Sequence, residues 1–308
     1  MKLRRRPSFL SAIGIVFTVL FLTPALQLGA QSTPDGDGNP EELRYDASLS
    51  WPNAEIVVES VVTSRSGTGV PTTLAAERIA ERSLARRMIR SSYAIQLNSL
   101  YTVADFLEAN PSRTAELGQQ VSEPDLIQRY PTADLRGVVL RHRLPLYPQV
   151  IEPFVSHVTP SEPPRHIGWI PTRRFTGIVI YAADPLPVHG TSRREFVEPA
   201  LMPEVFDSSE DMRRIIGPEM MEPAMLRDWG VAAYTDDPDL SAWEDRIGLA
   251  PLRVRATGAF GIYPTDLIIA EEDANLILAE PENRRLIEEG RILIILNDQV
   301  TTTNLTRN

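Results

Sequence analysis

The sequence predicts an α+β protein: a strand plus long-helix N-terminal domain, followed by a mixed α/β C-terminal domain. Three observations carry this expectation. Ile56, Val57, Val58, Val61 and Val62 form a β-branched cluster that reads as a strand over 54–62. Ala76, Ile79, Ala80, Leu84, Met88 and Ile95 recur at helical spacing, which predicts a helix capped by Thr72 or Thr73 and running to about 99. Residues 266–296 then read as strand, helix, helical segment and strand, the order of a crossover unit in an α/β layer.

Ahead of these elements, Lys2, Arg4, Arg5 and Arg6 precede an uncharged, mostly apolar stretch over 9–28 and the small residues Gly29 and Ala30. Charged, apolar, small is the order of a secretory signal peptide. Leu28, Gly29 and Ala30 offer a cleavage site before Gln31. The alternative is an uncleaved inner-membrane anchor, although the densest apolar run, 9–22, falls short of the about 20 residues that a span needs. Pro7 and Ser8 put one residue too many behind Arg5 and Arg6 for a twin-arginine signal, so the general secretory route is expected. Both readings place the remainder outside the cytoplasm, in the periplasm or another extracytoplasmic space. Residues 31–50 are polar, with Pro34, Gly36, Gly38 and Pro40, and read as a flexible tether.

Residues 65–69 read as a turn. Beyond the long helix, Thr102 with Asp105 predicts a capping box and a short helix to about 110. Pro111 suits the first position of a third helix, to about 121. Residues 137–146 alternate Val138, Leu140, His142 and Leu144 against Val139, Arg141 and Arg143, a strand with one basic face and a satisfied, half-buried His142. The prolines of 159–171 mark a boundary, giving domains at 51–158 and 172–298. Residues 175–182 form an apolar strand; 198–206 should be extended or irregular, 208–216 a helical turn, and 229–234 a short strand. Gly290 stops the helical segment that Pro281 starts. The last ten residues, 299–308, are polar and expected to fray.

Composition sets bounds on function. Hydrophobic residues make up 43% of the chain and charged residues 23%, values of a globular protein rather than a disordered one. With no cysteine there are no disulfides, no thiolate metal ligands, no cysteine nucleophile and no site for lipid attachment. Removing the four leader cations takes the net charge from −10 to −14. Phosphate-backbone binding needs clustered cations on a domain surface, so an acidic mature chain argues against nucleic acid and against anionic lipid. Membrane contact is expected only through 9–28, if that segment stays uncleaved.

Four constellations carry residue types suited to chemistry. Asp184, His189, Ser192 and Glu195 follow a buried strand, where sites often sit, and His189 could serve as a general base. No nucleophile motif accompanies them, so Asp184, His189 and Glu195 read first as polar residues of a Pro/Gly loop. Asp236, Asp237, Asp239, Glu244 and Asp245 fail the EF-hand pattern, with Ala242 where glycine is needed and Gly248 where the bidentate glutamate is needed. Glu195, Glu198, Glu204 and Asp207 contain pairs suited to glycoside cleavage, but an acidic chain supplies such pairs by chance. His142, His157, His166 and His189 lack metal-ligand spacing. No P-loop or dinucleotide fingerprint is present, so no cofactor and no catalytic residue is expected. Finally, Arg78, Arg82, Arg86 and Arg90 on the long helix form either a solvated face or a docking face for an acidic partner.

Val57-Val58-Glu59-Ser60, Gly67, Gly69, and the helix carrying Ala75, Ala76, Ala80 and Ala85, followed by Leu100-Tyr101-Thr102-Val103 and Ala104-Asp105, resemble a known envelope module. It is the domain family shared by some bacterial outer-membrane lipoproteins and the N-terminal part of the flagellar assembly protein FlgT. Tyr181 closing the strand 176–180, the segment 199–207, Tyr234, and Gly290-Arg291 look like the region that follows this module in other exported proteins. The resemblance implies a non-enzymatic role in envelope structure or surface-machine assembly, with envelope or flagellar proteins as partners. The chain departs from the lipoprotein members in lacking the lipidated cysteine. Two rival expectations stand beside it. One is a periplasmic hydrolase using acids near Asp184 to Asp207. The other is a small-ligand or glycan-binding protein with an apolar pocket lined by Trp169, Phe175 or Trp229.

Overall fold

A computed structural model describes residues 41–64 and 72–306. The signal, the first part of the tether and the 65–69 turn lie outside the described residues. The protein is α+β. Its first sheet has the order β14-β1-β2-β4-β3 and is antiparallel throughout, built from β1 (Glu41–Ser50), β2 (Glu55–Ser64), β3 (Asp125–Pro131), β4 (Gly137–Pro145) and β14 (Thr302–Asn304). The helix α1 (Thr73–Tyr93) starts at Thr72, whose hydroxyl accepts from the Ala75 N–H at 3.3 Å, and buries Ala76, Ala80, Leu84 and Met88. Ala76 and Ala80 lie against Val62, Val138 and Leu140 of the sheet. The helices α2 (Val103–Ala109) and α3 (Pro111–Gln120) follow. The capping box expected at Thr102 and Asp105 forms in both directions, at 2.8 and 3.3 Å.

Three expectations about this half need correction. Residues 41–50 are a strand, not tether: Leu43, Tyr45, Ala47 and Leu49 alternate with polar residues, and Ala47 and Leu49 are buried. Over its described residues, to 306, the tail is not frayed. β14 pairs with β1, Leu305 is buried, and its N–H donates to the Ala47 carbonyl at 2.8 Å. His142 is buried at 4% exposure, and its Nδ1 has no partner among the described residues, so it is not satisfied; burial lowers its pKa. β3 was not foreseen. It is an edge strand exposed along its whole length, so it carries no hydrophobic alternation to read.

The second sheet is mixed, with the order β10-β13-β5-β11-β12-β8-β9. Its strands are β5 (Ile178–Tyr181), β8 (Val205–Asp207), β9 (Arg214–Ile216), β10 (Ala233–Thr235), β11 (Leu252–Phe260), β12 (Asp266–Ile269) and β13 (Ile292–Ile295). A separate two-stranded ribbon pairs β6 (Leu186–Pro187) with β7 (Arg194–Glu195). The helices are α4 (Pro223–Trp229), α5 (Glu244–Ile247), α6 (Glu271–Ala279), α7 (Pro281–Glu288) and α8 (Asp298–Thr301).

The crossover expected over 266–296 takes another form. β12 and β13 are separated by β11 and β5. β12 is antiparallel to β11, which runs parallel to β5 and through it to β13, so the two ends of the segment run in opposite directions. Residues 208–216 end in β9 rather than a helical turn. Trp229 closes α4, so the strand expected at 229–234 is β10 and begins later. The prolines of 159–171 separate β1 to β4 from the second sheet in sequence, but β14 returns to the first sheet from the far end of the chain. However, one hydrophobic core runs through both, joining Ala47, Leu49, Ile56 and Val58 to Ile178, Ile180, Val254 and Ile294. Among the described residues, no helix is long and apolar enough to cross a membrane.

Candidate functional site

The structure disperses the acids that the sequence brings together. Asp184 is exposed and pairs with Arg255 at 2.6 Å. Glu195, on β7, pairs with Arg193 two residues before it at 2.8 Å. His189 is exposed, its ring tilted against Phe260 at 5.9 Å between centroids. No hydrogen bond or ion pair joins these three among the described residues. Glu204 pairs with Arg214 at 2.5 Å. Asp207 is fully buried: burial acts to raise its pKa, but Ser209 at 2.5 Å and Arg213 at 2.8 Å hold it below the ordinary carboxylate range. Glu198 is raised by burial and by Glu195. The histidines do not assemble either. The His157 ring contacts the Met221 carbonyl at 2.9 Å, and His166 meets Asn275 Oδ1 at 3.0 Å. Among the described residues, no group of three or more His, Cys, Asp or Glu side chains is placed to hold a metal ion.

Arg78, Arg82, Arg86 and Arg90 lie on the solvent side of α1 at intervals of four residues, so they form one stripe. All four are exposed, and none forms an ion pair with a described carboxylate. Arg87, between them in sequence, instead covers the Tyr45 ring at 4.0 Å, and burial lowers its pKa.

A concave site lined by aromatic residues lies elsewhere, at the seam of the two sheets. It is a cleft of about 330 Å³. The turn between β1 and β2 supplies Trp51 and Asn53, and the chain after β4 supplies Tyr147. The end of α4 supplies Asp228 and Trp229, β10 supplies Tyr234, and α5 with the residue before it supplies Trp243, Asp245 and Arg246. Trp51 meets Tyr234 edge to face at 5.3 Å. The Tyr234 hydroxyl donates to the Ala200 carbonyl at 2.8 Å, and burial keeps its pKa well above the ordinary value.

Arg246 forms the back wall. Its Nε donates to the Gly290 carbonyl at 2.9 Å, Nη1 to Trp229 at 2.8 Å and Nη2 to Gly230 at 3.0 Å. Its guanidinium also lies 5.3 Å from the Trp229 ring centroid. Burial pushes its pKa down to about 10. Gly230 must be glycine here: its φ is +68°, and a Cβ would strike the Tyr147 ring. Burial pushes the Tyr147 phenol up to about 12, and its hydroxyl has no partner among the described residues.

Of the three aromatic residues that the sequence suggested for a pocket, Trp229 lines this cleft. Trp169 is 86% exposed, and Phe175 packs on the core under Arg173. Nothing local marks Tyr147 or Arg246, which sequence reasoning missed; a signal was present only in Gly230, set directly after Trp229.

No curated protein matches the chain. Residues 177–298, which run from the start of β5 to the start of α8, are similar to a domain family described as Treponema pallidum Tp0624, second domain.

Proposed function

We propose that this chain is an exported, non-enzymatic component of the bacterial cell envelope that acts as a structural or assembly factor by binding protein partners, in the flagellum or another surface machine. The observation that carries this reading is the arginine stripe on α1. In a chain of net charge −10, four exposed arginines at helical spacing have no carboxylate partner among the described residues, while acids elsewhere are held by arginines. An exposed stripe of one sign favours a partner surface of the other sign and raises the rate of encounter with it. The expected partner is therefore an acidic segment of an envelope protein. The signal at 1–30 and the resemblance of 54–105 to the lipoprotein and flagellar module support the setting.

The test is in-cell crosslinking from α1, combined with fractionation and with scoring of a deletion strain for motility and envelope integrity. Reversing Arg78, Arg82, Arg86 and Arg90 to glutamate is expected to abolish specific crosslinks and to leave the deletion uncomplemented, with the far-UV spectrum unchanged. A charge-reversed chain that crosslinks and complements like the parent would refute the reading.

A further inference from the structure

Three of the four tryptophans of this chain, Trp51, Trp229 and Trp243, line one cleft although they lie far apart in sequence. We propose that this cleft binds a neutral pyranose ring of a glycan. The inference goes beyond the protein-partner reading and does not depend on it.

The walls decide the shape of the ligand. Trp51 and Tyr234 are buried and fixed edge to face, whereas Trp229 and Trp243 are half-buried and keep part of their surface exposed at the cleft. A pyranose has apolar C–H faces that suit flat aromatic walls, and a girdle of hydroxyls that needs polar partners. A volume of about 330 Å³ lies at the lower end of the range for small-ligand sites and has room for one such ring.

The polar groups decide the charge. Asp228 and Asp245 are exposed at the cleft, and neither takes part in a hydrogen bond or ion pair among the described residues. That sets them apart from Asp184, Glu195, Glu204 and Asp207, each held by an arginine. Ionised carboxylates accept strongly from hydroxyls. They also repel an anion such as a phosphate or carboxylate. A quaternary ammonium, the usual guest of an aromatic cage, would meet Arg246, a buried cation whose bonds among the described residues go to backbone carbonyls. Acids at the rim and an uncompensated cation at the back thus select a ligand with no net charge and many hydroxyls.

Tyr147 gives a second, independent indication. Tyr147 lines the cleft, and its hydroxyl is buried beside Gly230 without a partner among the described residues, where it remains a neutral O–H donor because burial holds its pKa up. A buried unpaired hydroxyl is unfavourable on its own, and a ring oxygen or hydroxyl seated against it would satisfy it.

The test titrates the full-length chain with a tetrasaccharide of β-1,4-linked N-acetylglucosamine and with a β-1,4-glucan tetrasaccharide, following tryptophan fluorescence. Choline and inorganic phosphate serve as charged probes. A saturable response to either sugar supports the assignment, and the responding arm identifies an N-acetylated or a plain glycan. Asp245→Asn is expected to weaken binding about tenfold, near the loss of one hydrogen bond to a charged group, and Trp243→Ala about tenfold through the loss of an apolar wall. Tyr147→Phe should weaken binding several-fold while leaving the protein folded. A response to choline or phosphate without one to sugar overturns the assignment. So does silence towards all four probes from a chain with the parent far-UV spectrum, or sugar binding that survives both Trp243→Ala and Asp245→Asn. None of these outcomes bears on the crosslinks made from α1, so the two readings fail separately.

Discussion

Replacing Arg246 with methionine isolates the tie at the back of the cleft. The side chain joins three backbone carbonyls, Trp229 and Gly230 at the end of α4 and Gly290 at the turn before β13, so it fastens two elements to α5. Methionine fills much of the same volume but bonds none of them. A buried acceptor left unmade costs about 1–3 kcal/mol, which gives about 3–9 kcal/mol for three. Against this, the variant no longer buries a cation. The depression of the Arg246 pKa to about 10 values that relief at about 3 kcal/mol. Water entering from the cleft can satisfy part of what is exposed, so the net loss is placed at about 2–5 kcal/mol, or about 6–15 °C in a melt of a chain this size. Equilibrium urea unfolding followed by far-UV circular dichroism reads it directly. Arg246→Lys should fall between the two, because a single ammonium cannot span three carbonyls in the geometry of a fork. Unfolding of the methionine variant within about 0.5 kcal/mol of the parent would show that the carbonyls find other partners and that Arg246 is not the tie.

Two further outcomes follow from buried groups at other junctions. Burial pushes Asp266 on β12 up to about 6, with Glu204 adding to the shift. Its native pKa therefore exceeds its unfolded value, so its contribution to stability is present below about pH 4 and is lost as pH rises through 6, by about 3 kcal/mol in all. Asp266→Asn, which can still accept from the Glu204 N–H, should flatten that part of a urea-midpoint profile between pH 4 and 8; an unchanged slope would place the proton elsewhere. Leu305 is buried where β14 closes on β1, and Leu305→Ala is expected to lower stability by about 2–4 kcal/mol and to speed hydrogen exchange at Leu49 and Ser50. Loss of neither would mean that the tail is not held.

Local periodicity made some elements legible and hid others. α1, α2 and α3 announce themselves because apolar spacing, a hydroxyl cap and a proline each act within a few residues. β5, β12 and β13 are buried apolar runs and are read as easily. β1 was hidden by its neighbours: a Gly/Pro-rich stretch runs into it, and a composition window averages the two. β3 is exposed on every residue, so its pairing with β4 leaves no pattern to find. The direction of β12 against β13 depends on which strands insert between them, which no local window contains. The cleft was legible only at Trp229, because its lining comes from four separate stretches of chain.

The acid-rich segment and the cleft differ for one physical reason, the destination of the arginines. Beyond Lys2, every cationic side chain except histidine is arginine, whose fork grips carboxylates with defined geometry. Asp184, Glu195, Glu204 and Asp207 each lose their availability to one. Asp228 and Asp245 also have arginines beside them in sequence, Arg227 and Arg246. Neighbours one residue apart on a helix do not face each other, however. Arg227 turns to Glu152 at 3.0 Å, and Arg246 turns inward to three carbonyls. Two carboxylates are thereby left at the mouth of an aromatic cleft while the cations next to them in sequence are spent on holding the fold. The partners that those two arginines take elsewhere are what leave the acids of the cleft available.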